Sequence, residues 1–222
     1  LDKGYLPEAL ANFIAFLGWN PKTQREIFSL EELIAEFDLK KVNKAGAIFD
    51  LEKLRWFNAH YIKQKSSSEL LDLLYPYFPA KAAKYPQEFL QRVAEIEKER
   101  LEVASEIGER IGYFFREPEY QKELLRWKKM TDQEIRLSLE QAQKMISNIK
   151  EQSTKQALEQ MFFKKIGTGD KGILLWPLRV ALTGSKASPG PFEIMEAFLI
   201  LENGRETILR RIEQAIAKLK KM

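Results

Sequence analysis

Among its 222 residues the chain has no cysteine and a single histidine, His60. Without cysteine there is no disulfide framework, thiolate zinc site or cysteine nucleophile. One imidazole also puts histidine metal clusters and histidine-based triads out of reach. Long apolar runs are missing too. The longest, Ile173 to Leu178, is broken by Pro177 and falls far short of the roughly 20 residues a membrane-spanning helix needs. No basic segment followed by an apolar one stands at the start, so no secretory signal is expected. The first residue is Leu1 rather than methionine, which suggests a piece excised from a longer protein. A reducing cytoplasm suits a cysteine-free chain, with an organelle left open.

Net charge is also small, +4, too little to argue nucleic-acid binding alone. Its distribution says more. Residues 1–38 hold 3 basic and 7 acidic side chains, 39–65 hold 7 and 2, 66–149 hold 13 and 15, and 150–222 hold 13 and 8. Positive charge thus gathers in two separated blocks, as suits a long polyanion touched at two places. Two solvated helix faces would give the same pattern.

With 45% apolar and 31% charged residues, the chain can bury one large core or two to three small ones. Helix signals run from end to end. Pro7 suits the first turn of a helix stopped by Gly18. Ser29 with Glu32, and Thr131 with Glu134, have capping-box spacing. Asp50 is a natural N-cap for Leu51 to Gln64, and Ser153 for a helix ending at Gly167. Lys65 to Ser68 reads as a linker and cap before a short helix stopped by Pro76. From Pro86 the stripe Phe89, Leu90, Val93, Ile96, Leu101, Ala104, Ile107 and Ile111 keeps a helical period, which predicts one long helix to about Phe115. Further helices are expected around Leu174 to Leu182, from Pro191 and from about Arg205. The fold class is therefore all-α, as consecutive small helical bundles, with boundaries near residues 65 and 118.

Several motif-like strings carry no chemistry. Gly167 to Gly172 lacks the Gly-Lys-Ser/Thr ending and preceding strand of a phosphate loop and reads as a flexible connector. His60 has no partner histidine and reads as a packing or capping residue. Lys144 to Ser147, loosely like a synthetase nucleotide signature, falls in mid-helix. Carboxylates near Lys98, Arg100 and Arg110 alternate with them as a solvated face would. What remains is Trp176-Pro177-Leu178-Arg179-Val180-Ala181-Leu182-Thr183-Gly184, followed by Ser188-Pro189-Gly190-Pro191-Phe192-Glu193. This is an apolar helix carrying one arginine, then a loop whose glycines allow close backbone approach. Arginine reads base edges bidentately and stacks on bases. A lone arginine could equally pair with a carboxylate such as Glu193.

With three other blocks, this string resembles the C-terminal half of bacterial-type glutamyl-tRNA synthetase. They are Gly4 to Leu10 through Leu17-Gly18-Trp19, Glu26 to Leu33, and Phe49 to Trp56 with Asn58, His60 and Tyr61; all four stand in family order. The resemblance implies a stem-contact domain over 1–65 and two helical anticodon-binding subdomains over 66–118 and 119–222. It implies that Arg179, Ser188, Pro189 and Phe192 contact anticodon bases, and Arg100 is the best placement for a further base-reading arginine. Ser188 stands where the family has threonine, which implies a weaker or altered contact. Backbone contacts are expected from Lys44, Lys53 and Arg55 near the tRNA corner and from Arg210, Arg211 and Lys218 on the last helix. Cations near a helix C-terminus are also favoured by its dipole. The expected partner is tRNA(Glu), with tRNA(Gln) as a second candidate, beside the catalytic domain that would precede Leu1. The family's histidine-rich and lysine-rich signatures are absent, so this chain is not expected to activate glutamate; ATP and magnesium belong to the intact enzyme. A helical protein-interaction scaffold without RNA binding is the alternative.

Overall fold

A computed structural model describes residues 3–21, 23–42, 48–149 and 153–220. Among the described residues the regular structure is helical, apart from one isolated antiparallel bridge between Trp19 and Val42. By internal contacts the chain divides into two compact units. The first joins Leu1–Phe78 with Glu97–Glu109; the second joins Pro79–Ile96 with Arg110–Met222. Residues 66–118 are thus shared between them.

In the first unit, α1 (Pro7–Gly18) packs on α3 (Leu51–Gln64) and on α2 (Leu30–Glu36). The capping signals hold. Ser29 and Glu32 cap each other's backbone at the start of α2, Asp50 accepts from Lys53 N at the start of α3, and Ser66 opens α4 (Ser67–Leu74) in a box with Glu69. Trp19, Phe28 and Leu33 form a small aromatic core. The buried Asn12 Oδ1 accepts from Phe28 N at 2.9 Å while its amide donates to Glu26 O at 3.0 Å, fixing the chain between α1 and α2.

The single long helix from Pro86 does not form. Instead α5 (Gln87–Glu97) runs into a short 3₁₀ turn, Lys98–Arg100, then becomes extended at Leu101 and Val103. Helix resumes as α6 (Ile107–Arg110) and α7 (Gly112–Phe115). The apolar stripe is buried on both sides of the break, apart from the half-buried Ile96. Partners distant in sequence take the backbone groups that helix would have used. Asn58 Nδ2 donates to Glu102 O at 2.6 Å and Ala104 N donates to Gly4 O at 3.1 Å; beside them the Ser105 hydroxyl donates to Lys3 O at 2.9 Å. Gly4 has φ +80°, and a Cβ there would meet the backbone of Ser105, so glycine is required for this approach.

In the second unit, α8 (Asp132–Ile146), α10 (Gly172–Thr183) and α12 (Gly204–Lys220) pack on one another, and α11 (Pro191–Phe198) lies against α9 (Lys155–Ile166), α10 and α12. Thr131 caps α8 with Glu134 as its spacing predicts. The cap of α9 is Thr154 rather than Ser153, its hydroxyl accepting from Ala157 N. Pro177 lies inside α10 and has no N–H for the carbonyl of Ile173. That carbonyl is supplied by the Ser138 hydroxyl of α8 at 2.7 Å, so the helix continues through the proline.

Candidate nucleic-acid interface

Trp176 and Arg179 stand three residues apart on α10 and so share a face. The Arg179 guanidinium lies 4.5 Å over the Trp176 ring. Trp176 also packs on Trp127, with ring centroids 5.3 Å apart, and its indole N–H donates to Leu124 O at 2.8 Å. Stacked in this way, the guanidinium points at the loop after α10. It donates to Lys186 O at 2.9 Å and to Ser188 O at 3.4 Å. Base reading and a carboxylate partner were the two roles open to this arginine. The structure adds a third, bracing the following loop by its carbonyls.

That loop is built to one shape. Gly184 ends α10 at φ +67°, where a Cβ would meet Pro118, Tyr120 and Glu119 O. Thr183 Oγ1 donates to Arg179 O and accepts from Ser185 N, and Ser185 Oγ bonds both N and O of Ala187. Ser188 is half-buried and its hydroxyl donates to Pro189 O. Pro189 is buried. Glu193 accepts from Gly190 N at 2.8 Å and from Lys155 Nζ at 2.7 Å. Beside the loop lies a cleft of about 500 Å³ whose walls include Tyr120, Leu124, Trp176, Gly184 and Lys186.

Three of the nominated residues, Pro189, Phe192 and Arg211, are buried where they sit. Phe192 is 4% exposed and packs edge-on against Phe162 and Phe163, so it supports the loop from below. Arg211 is 3% exposed. It donates to Leu182 O at 2.6 Å, Tyr113 O at 2.7 Å and Arg116 O at 3.1 Å, and its guanidinium lies 4.6 Å over Phe198. Burial lowers its pKa to about 10, which leaves it charged at neutral pH. It ties α12 to the end of α10 and to α7. A terminal basic cluster in the sequence cannot separate one inward arginine from its outward neighbours. Only the helical phase, with Ile208, Ile212 and Ala215 buried on the same face, could have done so.

The other cations lie at the surface in pairs. Lys53 bonds Glu26 at 2.5 Å and lies 4.4 Å over Trp56. Arg55 meets Glu102 at 3.1 Å and Glu106 at 3.6 Å; the hydrogen bond it donates to Glu102 is the main cause of its raised pKa. Arg210 meets Glu117 at 2.6 Å, and Lys218 Nζ lies 5.1 Å from the Tyr120 ring centroid. Arg100 sits in the 3₁₀ turn after α5, 3.5 Å from the buried Glu97, and belongs to the first unit while Arg179 belongs to the second. The pairs of Lys53, Arg55 and Arg210 are accessible and contribute little, so exchanging a carboxylate for a phosphate there costs little. Arg100, by contrast, is the partner of a buried carboxylate. Lys44 lies outside the described residues. His60 bonds Gln64 and packs beside Trp56 and Tyr61.

The Gly167–Gly172 connector is tied down rather than loose. Asp170 accepts from Gly172 N at 2.9 Å, Trp127 Nε1 at 3.1 Å and Lys128 Nζ at 2.8 Å. Lys128 has φ +51°, the one left-handed non-glycine among the described residues. Its ammonium, first, and then the Trp127 and Gly172 N–H groups lower the Asp170 carboxyl to about 2.

Comparison with known proteins places this arrangement. The family described as "Anticodon binding domain" matches residues 69–216. A second, "tRNA synthetases class I (E and Q), catalytic domain", matches residues 1–56. Part of a catalytic-domain family is therefore present, where its absence was expected, and it overlaps most of the proposed stem-contact region. The chain is 42% identical over 226 residues to the glutamate–tRNA ligase of Clostridium tetani, covering 99% of this chain and 44% of that protein. It is 39% identical to that of Clostridium kluyveri, covering 99% and 45%. Among solved structures, a glutamate tRNA ligase from Elizabethkingia meningosepticum superposes with a TM-score of 0.81 at 30% identity, over 98% of this chain and 42% of that one. The chain thus spans somewhat under half the length of the relatives it matches. With two thirds of its sequence matched across both compact units, the chain belongs to the anticodon-binding domain family.

Proposed function

We propose that this chain is the tRNA-binding, anticodon-recognising part of a glutamate–tRNA ligase, a class I enzyme that joins glutamate to tRNA(Glu) using ATP. The observation that carries the reading is the braced loop of residues 184–190 with Arg179, lying inside the matched anticodon-binding segment. In this reading Arg179 and Ser188 meet anticodon bases, and the buried Pro189 and Phe192 support them. Arg100 is a further base-reading residue. Lys44, Lys53 and Arg55 touch backbone in a stem-contact region over 1–65, and Arg210 and Lys218 touch backbone in the 119–222 subdomain. ATP and magnesium act in the catalytic region of the longer enzyme. The setting is cytoplasmic; among the described residues no helix is long and apolar enough to cross a membrane.

The test is binding of the purified chain to tRNA(Glu) and to single-base anticodon variants at two salt concentrations. Tight binding that weakens with salt and with particular anticodon changes supports the reading. Binding indifferent to the anticodon reduces the role to backbone contact, and no binding returns the chain to a scaffold role.

A further inference from the structure

The 184–190 loop is held from two sides, and only one of them carries a residue expected to meet RNA. From α10, Arg179 takes the carbonyls of Lys186 and Ser188. From α11, Glu193 Oε2 takes the N–H of Gly190 at 2.8 Å, and the other carboxylate oxygen takes Lys155 Nζ at 2.7 Å. Lys155 is itself fixed at the first position of α9. Its backbone N–H donates to Glu196 Oε1 at 2.7 Å, and the second oxygen of Glu196 pairs with Arg92 of α5. A relay therefore runs from α5 through α11 and α9 to the backbone at Gly190. The hydrogen bond that Lys155 donates to Glu193, the largest influence, holds its pKa above the ordinary lysine range.

Glycine loses more backbone freedom on ordering than any other residue. A recognition loop flanked by Gly184 and Gly190 would sample many shapes unless held, and ordering it on contact would weaken binding. We infer that Lys155 is a positioning residue for anticodon recognition: through Glu193 it fixes Gly190, and with it the Ser188–Pro189 backbone that Arg179 braces from the other side. The inference rests on the function proposed above and deepens it. The Lys155–Glu193 pair is partly exposed, at 41% and 29% of the side chains. Pairs this accessible contribute little to global stability, so the consequence of losing it is local.

The experiment uses the whole chain as wild type, Lys155→Met and Lys155→Arg. Each is measured for affinity to tRNA(Glu) and one anticodon variant, and for amide hydrogen exchange in the absence of RNA. Lys155→Met should weaken tRNA(Glu) binding about tenfold, equivalent to 1.4 kcal/mol, and weaken variant binding much less, so that the ratio between them falls. Exchange at Gly190 should accelerate while α8 stays protected, and Lys155→Arg should restore both. Equal losses on both RNAs would overturn the inference, since Lys155 would then act as a phosphate contact. Unchanged exchange at Gly190 or an unchanged affinity ratio would overturn it as well. If wild type itself fails to discriminate, the proposed function falls and takes this inference with it. That failure appears in the wild-type arm alone and is distinct from the others.

Discussion

At the residue scale, Arg211 and Asp170 show how charge is used in opposite ways. Arg211 serves three backbone carbonyls from inside the unit. Arg211→Met keeps much of the volume but leaves those acceptors buried without a donor, at about 1–3 kcal/mol for each that water cannot reach. We expect a total loss of about 3–5 kcal/mol, in the range for breaking a buried charged network, read as a lower urea midpoint. Asp170 acts at the surface. Its carboxyl titrates near 2 in the folded chain against 3.8 ordinarily. A depressed carboxylate pKa contributes stability that is present above about pH 4 and is lost as pH falls through about 2. Wild type should therefore melt above Asp170→Asn at pH 7, and the gap should close between pH 4 and pH 2. A gap that persists at pH 2 would mean that the charge is not the cause. His60 and the capping boxes at Ser29 and Thr131 were legible from the sequence because their partners lie within four positions. Arg211 was not, because its partners lie 29 to 98 residues away.

Among the elements, α10 and the broken α5–α7 stretch mark the limit of pattern reading. Except for the half-buried Ile96, the stripe from Phe89 to Ile111 is buried as its period predicts, yet Leu101 and Val103 are extended. They are apolar and buried too, so burial alone carries no sign of the break. The sign lies in Asn58, whose amide meets Glu102 O while its oxygen accepts from Leu6 N at 2.7 Å. Nothing in a helical period at residues 86–115 can report an asparagine on α3. In α10 the reverse holds. Pro177 forecasts an orphan carbonyl at Ile173, but only the fold shows that Ser138 fills it. Ser138→Ala should cost about 1–3 kcal/mol by leaving that carbonyl without a donor. In a Pro177→Ala background, where residue 177 regains its N–H, the same change should cost much less. A double-mutant cycle in thermal unfolding measures the difference, and equal costs in both backgrounds would mean that the Ser138 hydroxyl is not compensating for the proline.

For the whole molecule, the sequence already separates two basic blocks, and the structure assigns them different settings. Lys53 and Arg55 lie on α3 in one compact unit, each paired with exposed carboxylates. Arg179 lies in the other, stacked and braced against a preformed loop. Phosphate contacts should supply salt-sensitive affinity with no base preference, whereas base contacts should supply preference. Arg55→Ala should therefore reduce the slope of log affinity against log salt by about 1 and leave the anticodon preference unchanged. Arg179→Ala should cost about 1–3 kcal/mol on tRNA(Glu) and relax preference at one anticodon position. The two residues lie in different compact units, so their costs should add to within about 0.5 kcal/mol if each unit meets the RNA independently. The double variant decides this point. A combined loss well below the sum would mean that binding at one unit depends on the other, with the tRNA itself as the coupling element. A combined loss equal to the sum would leave the tRNA as a ligand read separately at two places.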